Sequence, residues 1–386
     1  MAILSGVGSR VVKRAYRYRF YPNPEQAAQL ARTFGCVRYV YNRALAERSR
    51  AWTGEQRRVT HAETDRMLTA WKRDTETVWL AEPSKGPLQA TLRHLRAAFV
   101  NFWEKRAGYP SFKKKGRSLD SATYFRNCFT YRNGNITLAK QDRPLDIVWS
   151  RPLPEGATPS RVTVSRNARG QYHVSILVED TVTSLPPAGG RVGIDAGITA
   201  LVTFSTGEKV TNPRHERRDR VRLARAQRDP SRTAKGSANR VKARARVAEI
   251  HGRIADRRRD HLHRLSTRII RENQTVVVED LSVRTMVRNH SLARAVSDAS
   301  WSELRAMVEY KADWYGRTVT AVDCFYPSSK TCSACGSVVE NLPLDVREWT
   351  CRCGAVHDRD IDAARNILAA GLAVSACGDG VRPPRS

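Results

Sequence analysis

The sequence predicts an α/β fold: a first half of mixed strands and helices, then a second half in which the two alternate around a cysteine-rich insertion. Three observations predict it. Period-two stretches rich in Tyr, Val and Ile occupy residues 13–21 and 121–180. From residue 190, short β-branched runs alternate with segments of helical period. Five of the eight cysteines fall within residues 324–353, in paired spacings.

In chain order, residues 13–21 alternate basic and aromatic side chains and read as a strand. Asn23-Pro24 supplies an N-cap and a first-turn proline for a helix to about Trp52. A second helix is expected over 61–71. Pro87 opens a third, whose Leu88, Leu92, Leu95, Phe99 and Phe102 form one apolar stripe. The β-patterned stretch 121–180 carries hairpin turns at Asn133-Gly134 and Ala168-Arg169-Gly170. It reads as a small β-barrel completed by the first strand. Residues 184–190, rich in Pro and Gly, form a linker. Next come a meander over 191–210, a helical stretch over 214–268 broken at Pro230 and Gly236, and a buried parallel-type strand over 275–281. Ser300-Trp301-Ser302-Glu303 has the pattern of a capping box for a helix ending at Gly316. A strand over 318–322 and a helix over 361–372 complete the chain. Cys324 is expected in the core.

The 386 residues carry 67 Lys plus Arg against 38 Asp plus Glu, a net charge of +29. Such a chain is built to meet a polyanion, and nucleic acid is the first candidate. Residues 214–268 alone hold 19 basic and 6 acidic residues, a net of +13. With no apolar run of membrane length and no lipidation motif, no membrane partner is expected. The cysteine usage and the lack of a signal sequence place the protein in a reducing cytoplasm, with the nucleoid as its site of action.

Three acids occupy chemically suggestive positions. Asp195 and Glu279 close apolar strands, and Asp360 opens the last helix. Each alone has an ordinary explanation: a turn aspartate, a surface acid with Asp280 as an equal candidate, and helix-dipole compensation. Brought together they would repel unless divalent cations bind between them. Oxygen donors select Mg²⁺ or Mn²⁺, and two such ions could hydrolyse a phosphodiester. The acids recur in the order an RNase H-type fold needs. Cys332-Ser333-Ala334-Cys335-Gly336 and Cys351-Arg352-Cys353-Gly354 read as a structural zinc ribbon, with His357 as an alternative fourth ligand because the second pair encloses one residue.

These residues resemble a known family. Gly193-Ile194-Asp195-Ala196-Gly197, Val278-Glu279-Asp280-Leu281, the stretch from Ser328 to Gly336, and His357-Asp358-Arg359-Asp360-Ile361-Asp362-Ala363-Ala364-Arg365-Asn366-Ile367 are together similar to TnpB, and Tyr18-Arg19-Phe20-Tyr21-Pro22 is similar to its opening strand. TnpB proteins are transposon-encoded, RNA-guided DNA nucleases related to type V CRISPR effectors. The resemblance implies an RNase H-like (RuvC) nuclease domain with a zinc-ribbon insertion, an N-terminal β-barrel wedge and a helical recognition domain. It places the wedge at 1–34 and 111–185, recognition helices at 35–110, the nuclease with its basic hairpin at 190–326, the zinc ribbon at 327–356 and the rest of the nuclease at 357–386. It implies a catalytic triad of Asp195, Glu279 and Asp360 holding two Mg²⁺ or Mn²⁺ ions, and structural Zn²⁺ on Cys332, Cys335, Cys351 and Cys353. The implied partners are a guide RNA and target DNA, double- and single-stranded, bound by one protein chain. Asp362 departs from the family pattern, standing where Asn is usual.

Two other functions fit parts of the sequence. A DNA-binding repressor, RNA-guided or direct, would bind without cutting. An actin- or sugar-kinase-type ATPase shares the hairpin around Asp195, but a second glycine-rich nucleotide loop is missing.

Overall fold

The computed structural model describes residues 9–343 and 345–376, and for residues 375 and 376 the backbone alone. Two compact units divide it: one spans Val11–Asp180, and the other is built from Thr181 onward together with the residues before Val11. Among the described residues no helix is long and apolar enough to cross a membrane.

The first unit contains β1 (Ser9–Phe20), α1 (Pro24–Glu55), α2 (His61–Trp71), α3 (Lys85–Trp103), β2 (Asp120–Phe125), β3 (Phe129–Arg132), β4 (Asn135–Leu138), β5 (Ile147–Val148), β6 (Pro159–Arg166) and β7 (Tyr172–Thr183). Asn23 caps α1 in a full capping box with Gln26, and Pro24 takes the first turn. Leu88, Leu92, Leu95 and Phe99 bury the stripe of α3, while Phe102 stays 36% exposed because the helix ends one residue later. Asn133 and Gly134 both have positive φ, as a two-residue hairpin between β3 and β4 requires. The main sheet runs β2-β6-β7-β1-β5. That order is open, with β2 and β5 at its edges and the β3–β4 ribbon separate, so the described ladders do not form the closed barrel expected from the alternation. Period two marks a buried sheet face; it carries no information on closure.

The second unit contains β8 (Gly190–Asp195), β9 (Ala200–Phe204), β10 (Lys209–Thr211), α4 (His215–Arg232), α5 (Ala238–Glu272), β11 (Asn273–Glu279), α6 (Val283–Met286), α7 (Ala293–Ala299), α8 (Trp301–Tyr315), β12 (Thr318–Val322), β13 (Glu348–Thr350), β14 (Val356–Asp358) and α9 (Arg359–Ala376). Its sheet runs β10-β9-β8-β11-β12, with β11 parallel to both neighbours. Alternation sorts the side chains of the two central strands. Val192, Ile194, Val276 and Val278 pack in one core with Leu262, Ile269, Leu304 and Val308 of α5 and α8. Val277 faces the other way, onto Ile367 of α9. Gly193 shares that second face: a Cβ placed there would lie 2.1 Å from the Ala364 carbonyl oxygen. The glycine thus lets α9 cross directly against β8. Gly193→Ala is expected to lower the melting temperature by several degrees, read by calorimetry, because the clash is with helix backbone and no side-chain rotation relieves it.

Two local expectations are corrected. Ser300 does not cap α8 with its side chain. It has left-handed φ, its amide ends α7 on Val296, and its hydroxyl donates to the Ser297 carbonyl. One residue closing a helix and opening the next cannot also adopt the extended N-cap conformation. Cys324 is exposed, because β12 ends at Val322 and the chain turns out of the sheet. The helical stretch does divide in two, but α4 carries Pro230 inside its last turn and stops at Arg232.

Candidate functional site

β8 and β11 lie side by side in parallel, with Ile194 opposite Val278, so the next residues, Asp195 and Glu279, end adjacent strands together. Parity puts both on the face covered by α9, and Asp360 sits in the first turn of that helix. In an open α/β sheet the space beyond the carboxyl ends of parallel strands is where ligands bind. Three acids far apart in sequence therefore come close enough for Asp360 and Glu279 to act on the charge of Asp195.

Their electrostatics report the proximity. The Asp195 carboxyl is pushed up to about 7, first by burial and then by the negative charges of Asp360 and Glu279. Burial also raises Glu279. Asp280, the alternative to Glu279, is bound instead by the Arg305 guanidinium. Asp358, two residues before Asp360, accepts from the backbone amides of Asp360 and Ile361, 3.1 Å each, and so caps α9. Burial favours its neutral form, but Lys209, 2.7 Å away, and those amides outweigh it and hold its carboxyl below the usual range.

Two cations that sequence reasoning missed close on the third acid. The Arg347 guanidinium lies 3.2 Å from one oxygen of Asp360, and the Lys209 ammonium 3.7 Å from the other. No local pattern marks either residue, since each acts across the fold. The donor set suits a hard divalent cation: three carboxylates, one of them held toward its neutral form by burial and by the other two acids.

The cysteine cluster lies just before α9. The Sγ atoms of Cys332, Cys335, Cys351 and Cys353 lie within 4.8 Å of one another. Cys332 to Cys353 is 3.8 Å and Cys335 to Cys351 is 3.7 Å. A zinc tetrahedron with Zn–S of about 2.3 Å has an edge of about 3.8 Å, so the four thiols fit the ion. Gly336 and Gly354, both with positive φ, make the tight turn after each pair. The single residue between Cys351 and Cys353 still brings both sulfurs to the cluster. His357 is placed outside it: Nε2 lies 3.0 Å from the Cys332 sulfur and Nδ1 3.0 Å from an Asp362 oxygen. The same Asp362 oxygen accepts from the Ser333 amide. The residue that departs from the family pattern thus orients the imidazole beside the Cys332 sulfur, as an outer-layer partner would for a cluster able to hold a metal ion.

With this geometry in place, comparison with known proteins is informative. Residues 173–290 match the OrfB_IS605 family model, described as "Probable transposase". Residues 301–367 match the Cas12f1-like TNB domain. Residues 11–57 match a model described as a helix-turn-helix domain, although here they form one strand and one uninterrupted helix. A Streptomyces pristinaespiralis protein named "Putative RNA-guided DNA endonuclease" is 64% identical over 97% of this chain and 93% of its own length. InsQ of Escherichia coli K12, given the same description, is 33% identical over 96% of each chain. Among solved structures, a chain of the Cas12f1–sgRNA–target DNA complex superposes with a TM-score of 0.57 at 14% identity, over 93% of this chain and 99% of that one. The fold is Cas12f-like, of mixed α/β content. The chain belongs to the TnpB (OrfB_IS605) family.

Proposed function

We propose that this protein is an RNA-guided DNA endonuclease of RuvC-like, metal-dependent mechanism, in which Asp195, Glu279 and Asp360 are the catalytic carboxylates. The observation that carries the reading is their convergence beyond the ends of β8 and β11, where burial, and then the charges of Asp360 and Glu279, push the Asp195 carboxyl up to about 7. Two divalent cations on these carboxylates would supply an activated water and neutralise the leaving oxygen of a phosphodiester. The chain's own part is to hold three oxygen donors on one sheet face and to seat Asp360 at a helix start, where the dipole favours its charge. Lys209 and Arg347 balance Asp360 in the metal-free protein.

The names of the relatives, the basic charge and the Cas12f-like fold support guide RNA and target DNA as partners. Sequence specificity would then reside in base pairing, with the protein reading a short flanking motif and duplex shape. On this reading residues 1–34 and 111–185 form the wedge, 35–110 the recognition helices, 190–326 and 357–386 the nuclease, and 327–356 a ribbon holding structural zinc on its four cysteines; residues 1–8, 344 and 377–386 of these spans lie outside the described residues.

The test is to purify the protein with its copurifying RNA, sequence that RNA, and supply a duplex matching its guide segment with Mg²⁺. Cleavage that requires Mg²⁺ and the matching sequence is expected. Binding without cleavage would make the chain a repressor, and the absence of any copurifying RNA would remove the guide.

A further inference from the structure

The three proposed carboxylates stand on two bodies that must be held in register. Asp195 and Glu279 belong to the sheet, and Asp360 belongs to α9. From its second turn onward α9 packs on the sheet, Ala364 against Gly193 and Ile367 against Val277. The first turn, which carries Asp360, is also tied to the ribbon: β14 ends at Asp358, and the Arg359 amide donates to the Arg347 carbonyl. Held on the ribbon side alone, Asp360 would follow the ribbon and not the sheet.

Strand register supplies the sheet side. Thr203 of β9 lies opposite Asp195 of β8 and also opposite Lys209 of β10. Directly opposed residues of antiparallel strands point to one face, so Asp195 and Lys209 stand in one row on the face that α9 covers. Two strand spacings separate their backbones, roughly 10 Å. From there the Lys209 ammonium reaches one oxygen of Asp358 at 2.7 Å, while the other Asp358 oxygen accepts from the amides of Asp360 and Ile361. One aspartate thus joins β10, the ribbon strand β14 and the first turn of α9. Lys209 lies 3.7 Å from Asp360, beyond hydrogen-bond reach, whereas Arg347 lies 3.2 Å from it.

We propose that Lys209 is a positioning residue: through Asp358 it fixes the start of α9, and with it Asp360, against the sheet that carries Asp195. The inference rests on the metal-dependent function proposed above. The competing role, a counter-ion to Asp360, predicts the opposite sign. Lys209 and Asp358 form a neutral pair. Removing the ammonium uncovers the Asp358 charge and takes a cation away from Asp360, and both changes draw a divalent ion in by charge alone. Weaker ion binding in such a variant therefore reports lost position. With the Lys209 side chain 38% exposed, the pair itself adds little to stability.

Lys209→Met keeps the length of the side chain and removes its charge. The full chain, freed of divalent ions other than zinc, is titrated with Mn²⁺, and the free ion is read by electron paramagnetic resonance. Single-turnover cleavage of a duplex matching the guide is followed in parallel. Mn²⁺ affinity is expected to fall about three- to tenfold and the maximal cleavage rate about tenfold, with the DNA concentration for half-maximal rate unchanged. Lys209→Arg, which restores a cationic donor, should recover most of the affinity. Asp358→Asn keeps the oxygen that caps α9 but turns an amide group toward Lys209. It should match Lys209→Met, and the double variant should be no worse than either, as for two members of one link. Melting temperatures are expected to stay close to wild type; were Lys209→Met to melt far below it, Lys209→Gln takes its place. Unchanged or tighter Mn²⁺ binding in Lys209→Met, or losses that add in the double variant, overturn the proposal. Wild type that binds Mn²⁺ without cutting would end the nuclease reading alone, and the titration would still decide the role of Lys209. Wild type that binds no Mn²⁺ would overturn both.

Discussion

Asp195→Ala is expected to abolish cleavage, by about 10³-fold or more, while RNA and DNA binding persist. The change removes one of the three proposed oxygen donors, and a thousandfold loss corresponds to about 4 kcal/mol of transition-state stabilisation. Single-turnover cleavage beside a binding titration separates the two effects; cutting at wild-type rate would remove Asp195 from the mechanism. The same residue predicts a pH signature without metal. Its folded pKa of about 7 lies above its value of 3.8 in a free chain. The folded state therefore binds the proton more tightly, and the metal-free protein loses stability as pH rises from about 4 to about 7, the full penalty remaining above that. Asp195→Asn carries no such charge. Its melting temperature should match wild type near pH 4 and exceed it above pH 7, by an amount worth a few kcal/mol. Added Mg²⁺ should narrow the gap by stabilising wild type alone. A difference that does not change with pH would show that neither burial nor the neighbouring acids hold Asp195 toward its neutral form.

Cys332→Ser is expected to lower zinc content and thermal stability together. The ribbon's own apolar cluster is small: Cys332, Leu342, Trp349 and Cys351, with a few partly buried neighbours. Two of those four are themselves proposed ligands, so little remains to hold the segment without the ion. The damage should also reach the acids. Arg347, in the ribbon, pairs with Asp360, and the amide of Arg359 donates to the Arg347 carbonyl. Cleavage is therefore expected to fall with zinc loss. Metal analysis with a melting curve decides the point, and a variant that retains full zinc would end the ribbon assignment.

Much of this architecture was legible in the sequence, because strand parity and local spacing are short-range signals. The run Val276-Val277-Val278 announced a strand buried on both faces, and Glu279 followed it onto the face that alternation dictates. Pairs of cysteines followed by glycine announced the cluster in the same way. What stayed hidden depends on distant partners. Nothing near Lys209 or Arg347 shows that both reach Asp360. Asp362 could be seen as a departure, but its role appears only when His357 is found 3.0 Å away. The alternation in the first unit gave strands without revealing that their ladder stays open. Ser300 shows the opposite failure, where a valid local pattern lost to the tight junction of α7 and α8.

The site is also assembled late. Asp360 lies 360 − 195 = 165 positions after Asp195. At a synthesis rate of roughly 5–20 residues per second, the ribosome needs on the order of ten to thirty seconds to deliver the last acid after the first. For that interval the growing polypeptide lacks a complete cradle for cations. On the proposed mechanism the nascent chain cannot hold its cations, and so cannot cut nucleic acid, until translation has passed the ribbon.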